Sequence, residues 1–112
     1  MEVKSVARNT GISARKMRAL VNLVRGKNVN EALTILKFAP SPHARIVAKV
    51  VKTAASDADT LHNISADNLK VIEIYANEAA TLRRFRARAR GRSSRILRRS
   101  SHITVIVGEQ ED

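Results

Sequence analysis

The chain has no cysteine and no tryptophan, and its only aromatic side chains are Phe38, Phe85 and Tyr75. Without cysteine it can form neither a disulfide framework nor a thiolate zinc site, which suits a reducing compartment. So few aromatics argue against a module that stacks bases on an aromatic sheet face. No apolar run approaches the roughly 20 residues of a membrane span, and the N-terminus lacks a signal peptide's apolar stretch. We therefore expect a soluble, cytoplasmic protein without a membrane partner.

Groups that support catalysis or hold a metal ion are also scarce. The three histidines, His43, His62 and His102, are far apart in sequence and lack the spacing of metal ligands. The four glycines are scattered and form no phosphate-binding loop. Asp57 and Asp59 would diverge on a helix. The sequence therefore predicts a protein that is not an enzyme and that has no cofactor and no metal site.

Positive charge is what the sequence has in excess. Its 21 Lys and Arg residues against 10 Asp and Glu residues give a net charge of +11, which predicts a polyanionic partner. Residues 1–52 and residues 79–102 each carry +9, whereas residues 53–78 carry −4 and residues 103–112 carry −3. The positive charge thus lies in two separate segments, and this distribution indicates two contact surfaces.

The length of the chain predicts a single domain that spans residues 1–112. The spacing of apolar residues predicts its first helix. Ser13 is the predicted N-cap of that helix, and Gly26 the left-handed residue that ends it. Its buried face is predicted to consist of four residues at i, i+3, i+4 and i+7: Met17, Leu20, Val21 and Val24.

Two further helices follow. Asn28 and Glu31 resemble a capping pair that opens a short second helix, and Pro40 stops this helix near Phe38. Ser41 followed by a proline predicts the start of a third helix, from roughly Ser41 to His62. Its apolar residues recur as adjacent pairs every four positions, so this helix is expected to be the spine of the domain.

Strands are predicted at both ends of the chain. Val3–Ala7 reads as an edge strand, and Leu69–Ala76 and Ile103–Val107 as the two strands of an antiparallel hairpin. If Ile74 lies opposite Val105, the midpoint of the hairpin falls close to Arg90-Gly91. The predicted fold is therefore α+β, with three helices on an antiparallel sheet and a long protruding β-hairpin.

The segment from Ala79 to His102, called the arm below, contains nine arginines, no lysine and no acid. At ~3.3 Å per residue, twelve residues a side extend about 40 Å, whereas a 100-residue domain has a radius of gyration of only ~13 Å. The arm must therefore project. In a strand, period two places one set of arginines on a single face, namely Arg84, Arg86, Arg88, Arg90 and Arg92. The second leg carries Arg95, Arg98 and Arg99.

Arginine suits a nucleic acid, since its planar guanidinium contacts phosphate with two N–H groups and stacks on unpaired bases. The alternative is a solvated basic loop, which the strict alternation and the lack of acids disfavour. A second basic patch surrounds the first helix, where a solvated helix face is the alternative; it consists of Arg8, Arg15, Lys16, Arg18, Arg25 and Lys27. Other lysines, Lys4, Lys37, Lys49 and Lys52, are read as ordinary surface charge.

Two motifs resemble the bacterial family of large ribosomal subunit protein twenty-two. The first is Arg83-x4-Arg88-Ala89-x-Gly91-Arg92, followed after nine residues by the run from His102 to Val107. The second is Ser13-x-x-Lys16-x-Arg18, followed by the stretches from Val24 to Lys27 and from Glu31 to Leu36. They occur in the family's order and spacing, and the resemblance covers about residues 5–107.

The resemblance implies a structural constituent of the large ribosomal subunit that binds 23S rRNA and supports subunit assembly. It also implies neighbouring ribosomal proteins as partners, no homo-oligomer, and an arm tip that lines the peptide exit tunnel beside the nascent polypeptide. The implied tip residues are Arg86, Ala87, Arg88, Ala89, Arg90, Gly91 and Arg92. The implied rRNA-facing residues include Ser13, Lys16 and Arg18 and the arm arginines Arg83, Arg84, Arg86, Arg88, Arg90, Arg92, Arg95, Arg98 and Arg99. Together with the rest of the second basic patch, they are the predicted rRNA-binding residues. Ala87 departs from the proline of familiar members, which predicts a less rigid tip.

Two other functions remain open on sequence alone. A DNA-architectural protein with a basic β-arm would bend duplex DNA through the minor groove, usually with an apolar wedge at the tip. Here the tip reads Arg-Ala-Arg-Gly-Arg, and the nearest bulky residues, Phe85 and Ile96, lie back along the legs. An enzyme that acts on RNA lacks a candidate acid, base or metal site.

Overall fold

The structure, a computed structural model, describes residues 2–80, 82–87 and 93–109; for residues 82–87 and 93–98 it describes the backbone alone. Three α-helices, a short 3₁₀ turn and five strands follow one another in the described part. They are β1 (Glu2–Ala7), α1 (Ala14–Val24), α2 (Val29–Phe38), α3 (Ala44–His62), the 3₁₀ turn (Ala66–Asn68), β2 (Leu69–Glu78), β3 (Leu82–Ala87), β4 (Ser93–Arg98) and β5 (Ser101–Glu109).

Helix α1 forms where the apolar spacing predicts it. Ser13 is its N-cap, with an Oγ that accepts the backbone N–H of Lys16 at 3.5 Å. Each of the four predicted core residues is buried, and Met17, Val21 and Val24 are 0% exposed. The prediction of this helix and its buried face is confirmed.

The end of α1 is a tight turn. Arg25 has φ −62° and ψ 129°, Gly26 has φ +79°, and the N–H of Lys27 donates to the carbonyl of Val24 at 3.1 Å. These are the features of a type II β-turn, whose third position needs positive φ and so favours glycine. The N–H of Gly26 donates to the Val71 carbonyl in strand β2 at 3.1 Å, which fastens the turn to the sheet.

Helices α2 and α3 agree with the predictions except at the start of α3. Asn28 caps α2, as predicted, and its side chain accepts the N–H of Asn30 at 2.9 Å. The predicted start of α3 at Ser41 is wrong by three residues, because α3 begins at Ala44. Ser41 caps a preceding turn instead, where its Oγ accepts the N–H of His43 at 3.3 Å. The proline after Ser41 therefore lies in this turn and not in the helix.

The hydrophobic core lies between the helices and one face of the sheet. Helix α1 packs along β2, α3 packs on β1 and β5, and α2 packs against α3. In the described residues, the largest fully buried side chains include Met17, Leu69, Ile74 and Ile103. Removing the side chain of Met17 would cost about 2–5 kcal/mol of stability, because surrounding residues cannot fill such a site.

The sheet has the antiparallel order β1-β5-β2. Strand β1 is an edge strand, as predicted. Strands β2 and β5 pair antiparallel, as predicted, and Ile74 lies opposite Val105, which is the register assumed for the hairpin. Between Val71 and Glu73 the register of β2 shifts by a β-bulge. The predicted α+β class, with three helices on an antiparallel sheet, is confirmed.

The arm continues from β2 and β5 as a separate two-stranded sheet, β3 with β4. Glu78 pairs with Ser101 at the base of the arm, and the next described pair is Leu82 with Arg98. Three residues of the sequence separate these pairs on one leg and two on the other. The last described pair is Ala87 with Ser93; the predicted turn at Arg90-Gly91 lies outside the described residues. Principal extents of 66 × 27 × 17 Å and a radius of gyration of 17.2 Å, against the ~13 Å of a compact chain, agree with a projecting hairpin.

Because the arm lies outside the core, its removal should leave the domain folded. At its base the N–H of Ala79 donates to the carbonyl of Ser100 at 3.0 Å, so a two-residue turn can join Ala80 to Arg99. We expect a variant with Asn-Gly in place of residues 81–98, called the arm-excised variant, to melt within about 5 °C of the full chain in a thermal scan. The destabilised control is the Met17→Ala variant, whose melting temperature should fall because it removes a core side chain. An arm-excised variant that melted as low as Met17→Ala would show that the arm is part of the core.

Candidate nucleic-acid interface

The buried hydroxyl of Ser101 joins the first loop to the base of the arm. Ser101 is 0% exposed. Its Oγ donates to the carbonyl of Ile12 at 2.7 Å and lies 2.9 Å from the Oγ1 of Thr10. The backbone N–H of Thr10 also donates to the carbonyl of Ser101 at 3.0 Å. The loop before α1 is thus bound to the first residue of β5.

Neighbouring backbone groups extend this connection. The N–H of Asn9 donates to the Nδ1 of His102 at 3.0 Å, and the N–H of Gly11 donates to the Oγ of Ser100 at 2.9 Å. Asn9 and Gly11 reach these partners with φ of +52° and +80°, a conformation that glycine and asparagine adopt at least cost. Residues 9–12, called the tether loop below, therefore contact residues 100–102 through both backbone and side chains.

The tether loop places the N-terminus of α1 at the base of the arm. From there α1 runs antiparallel to β2, since its far end meets Val71 while its start lies beside Ser101, the partner of Glu78. Eleven residues make this helix ~16 Å long. Its N-terminal N–H groups carry partial positive charge and favour an anion at the arm end.

Cations from both basic segments meet at this end. We call them the arm-base surface; they are Arg8, Arg15, Lys16, Arg18 and Arg99, and all are exposed. In the described part of the chain none of the five side chains hydrogen-bonds to a neighbour. Arg15 and Lys16 lie in the first turn of α1, which contains no acid, and a cation there destabilises its own helix. These two cations therefore do not stabilise the helix, but they are well placed to bind an external anion.

Two residues of the predicted basic patch lie elsewhere. Arg25 is at the far end of α1, where its guanidinium donates to the carbonyl of Ile74 at 2.7 Å and to the Oδ1 of Asn22 at 2.6 Å. It therefore fastens α1 to the outer edge of β2. Lys27 follows it, and its carbonyl accepts the N–H of Val71 at 2.8 Å. The structure does not bring these two residues to the arm base.

The predicted arm arginines fall into two groups. Arg83, Arg84, Arg86, Arg95 and Arg98 lie in β3 and β4. Arg88, Arg90 and Arg92, with Ala89 and Gly91 of the predicted tip, lie outside the described residues. The prediction that alternate arginines share one face of the arm requires an extended backbone. Residues 82–87 have that backbone, since they form strand β3.

Acidic side chains mark the end of the domain opposite the arm. Glu2 and Glu109 are exposed there, where β1 begins and β5 ends, and Asp67 lies in the 3₁₀ turn before β2. Glu78 is an exposed acid that stands at the arm end. This polarity orients the arm end towards a polyanion and the far end away from it.

The described residues provide neither a metal site nor a membrane-spanning helix. Within them, no group of three or more His, Cys, Asp or Glu side chains is arranged to hold a metal ion. Over the same residues no helix combines the length and the apolar character needed to cross a bilayer.

Sequence reasoning missed the tether loop. Its hydrogen bonds join residues 89 to 93 positions apart, and no local pattern marks such pairs. The glycine at position 11 and the small hydroxyl residues around position 100 are the signals that the sequence contains, and both also fit an ordinary turn.

Loss of the Ser101 hydroxyl should weaken the tether. Ser101→Ala leaves the carbonyl of Ile12 without its short hydrogen bond and is expected to lower the unfolding free energy by about 1–3 kcal/mol in a urea titration. The control is Ser56→Ala on the exposed side of α3, where alanine favours the helix and should cost nothing. Equal midpoints for the two variants would show that the tether does not stabilise the fold.

Comparisons with known proteins agree with the motifs. The model of the family described as ribosomal protein L22p/L17e matches residues 5–108. A protein named large ribosomal subunit protein uL22 from Dehalococcoides mccartyi is 52% identical over 109 residues, which cover 97% of this chain and 100% of that protein. Proteins of the same name from Clostridium kluyveri and a Thermoanaerobacter species are 48% and 47% identical over 111 residues, covering 99% of this chain and all of each relative.

Proposed function

Because this chain belongs to the ribosomal protein L22p/L17e family, we propose that it is a structural constituent of the large ribosomal subunit that binds 23S rRNA through its arm and arm-base surface. Family membership confirms the resemblance drawn from the two motifs. It also confirms the prediction of a protein that is not an enzyme, since this family is structural. The large subunit is cytoplasmic in bacteria, in agreement with the predicted compartment.

The observation that carries the rRNA proposal is the convergence of the two basic segments. The tether loop brings the cations around α1 to the point where the arm leaves the domain. A phosphate backbone that runs along the arm would therefore meet Arg8, Arg15 and Arg99 at its base. Each phosphate neutralised releases counterions, so such a surface binds a polyanion strongly at low salt and more weakly as salt rises.

The length of the arm supports a site within folded RNA. A hairpin that projects well beyond its own core can pass between RNA helices, where a flat surface could touch only the exterior. We propose that its tip, Arg86 to Arg92, lines the exit tunnel beside the nascent polypeptide. We further propose that the chain acts as one domain and one copy, contacts neighbouring ribosomal proteins, and helps the rRNA fold during assembly.

A DNA-architectural function fits the arm less well. Such proteins unstack base pairs with an apolar wedge, and residues 86–92 contain only arginine, alanine and glycine. Arginine's flat guanidinium suits the unpaired bases and irregular phosphates of folded RNA.

The test is cosedimentation of tagged variants with large ribosomal subunits through a high-salt wash. We expect the full chain to stay with the subunit, because a threaded arm is held by shape as well as by charge. The arm-excised variant, which lacks eight arginines, should be washed off. A full-length variant with those eight arginines changed to glutamine separates charge from shape, and it should be retained less than the full chain.

Association of the full chain with chromosomal DNA, and not with large subunits, would overturn the proposed function. Equal retention of the full chain and the arm-excised variant would leave the ribosomal assignment in place but refute the role of the arm.

A further inference from the structure

A row of cations lies along the outer face of α3. Arg45, Lys49 and Lys52 are spaced i, i+4 and i+7, so they lie on one side of the helix. All three are exposed, whereas Val47 and Val51 on the opposite side are 0% exposed. The row therefore faces away from the core.

Concave surfaces flank this row on both sides. A cleft of about 570 Å³ between α2 and α3 is lined in part by Lys37, Arg45 and Lys52. A second cleft, of about 410 Å³, lies between β1 and α3 and is lined in part by Arg8 and Lys49. The row is thus a ridge between two grooves, and Arg8 connects it to the arm-base surface.

No acidic side chain pairs with these cations in the residues that the structure describes. Residues 32–56 contain no Asp or Glu. In the described part of the chain the side chains of Arg45, Lys49 and Lys52 make no hydrogen bond or ion pair. Arg45 also lies in the first turn of α3, where no acid is present and where the helix dipole disfavours a positive charge. Three like charges on one face of a helix repel one another, and a polyanion would relieve that repulsion.

An exposed aromatic ring lies between Lys37 and Ala39, two residues that line the first cleft. Phe38 is 75% exposed, although it is one of only three aromatic residues in the chain. The Nζ of Lys37, which lines the cleft, lies 5.7 Å from the centre of the ring. A solvent-exposed ring beside phosphate-binding cations is the arrangement on which unpaired bases stack.

We propose that Lys37, Phe38, Arg45, Lys49 and Lys52, called the shoulder surface below, form a second RNA-binding surface. In it the cations contact consecutive phosphates and Phe38 stacks on an unpaired base. The inference rests on the proposed function for the identity of the RNA, but it concerns a different part of the molecule. Uncompensated charge of one sign favours RNA over a protein partner, which would need matching acids.

The first test compares two variants with the same change in net charge. Lys49→Gln with Lys52→Gln removes two cations of the shoulder surface. Lys4→Gln with Lys70→Gln removes two exposed cations from β1 and β2. Binding of the full chain to purified 23S rRNA is measured at several salt concentrations. The slope of log affinity against log salt should fall in magnitude by roughly 1.4–1.8 for the shoulder pair and remain unchanged for the control pair.

The second test uses the lack of tryptophan in the chain. Phe38→Trp introduces a single fluorophore at the shoulder surface, and Leu61→Trp introduces one at a site that is 70% exposed near the end of α3. Titration with 23S rRNA should quench the fluorescence of the Phe38→Trp variant, since a base stacks on the indole. The Leu61→Trp variant should keep its intensity.

The outcomes separate the two proposals. Full-chain binding with equal slopes for both lysine pairs, and with equal quenching at positions 38 and 61, would overturn the shoulder surface and leave the proposed function intact. Failure of the full chain to bind 23S rRNA at all would overturn the proposed function, and the shoulder surface with it.

Discussion

The hydroxyl of Ser101 sits where three parts of the molecule meet: the sheet, the start of α1 and the base of the arm. It is fully buried and hydrogen-bonded to the Ile12 carbonyl and to the Thr10 hydroxyl. Separation of the tether loop from the sheet would therefore leave polar groups without their hydrogen bonds. Because of this connection, cations from the two basic segments, residues 1–52 and residues 79–102, meet at the arm base. The proposed orientation of the domain towards RNA depends on that junction.

Much of the fold could be predicted from local patterns. The apolar residues of α1 occur at helical spacing, and Gly26 adopts the positive φ that its turn requires. The antiparallel pairing of β2 with β5 was predictable because both strands are short, apolar and separated by a segment that cannot be buried. Family membership was likewise predictable, since two motifs with fixed spacing lie at opposite ends of the chain.

What could not be predicted depends on contacts distant in sequence or on competition between turn types. Ser41 and its proline have the pattern of a helix start, yet the serine caps a separate turn and α3 begins at Ala44. Arg25 looks like one more phosphate-binding cation, yet it is bonded to the edge of β2. Lys49 and Lys52 read as ordinary surface charge, and only the packing of α3 shows that they line two clefts. In each case the role of the residue depends on surrounding structure that the local sequence pattern does not contain.

Convergence of the two basic segments on rRNA can be measured directly, because the chain has no cysteine. Single substitutions Arg15→Cys, Arg99→Cys and Leu61→Cys each provide one attachment point for an iron chelate that generates hydroxyl radicals inside the assembled large subunit. We expect strong and overlapping cleavage of 23S rRNA from positions 15 and 99, and weak cleavage from position 61. Strong cleavage from position 61 with none shared between positions 15 and 99 would contradict the convergence of the two basic segments.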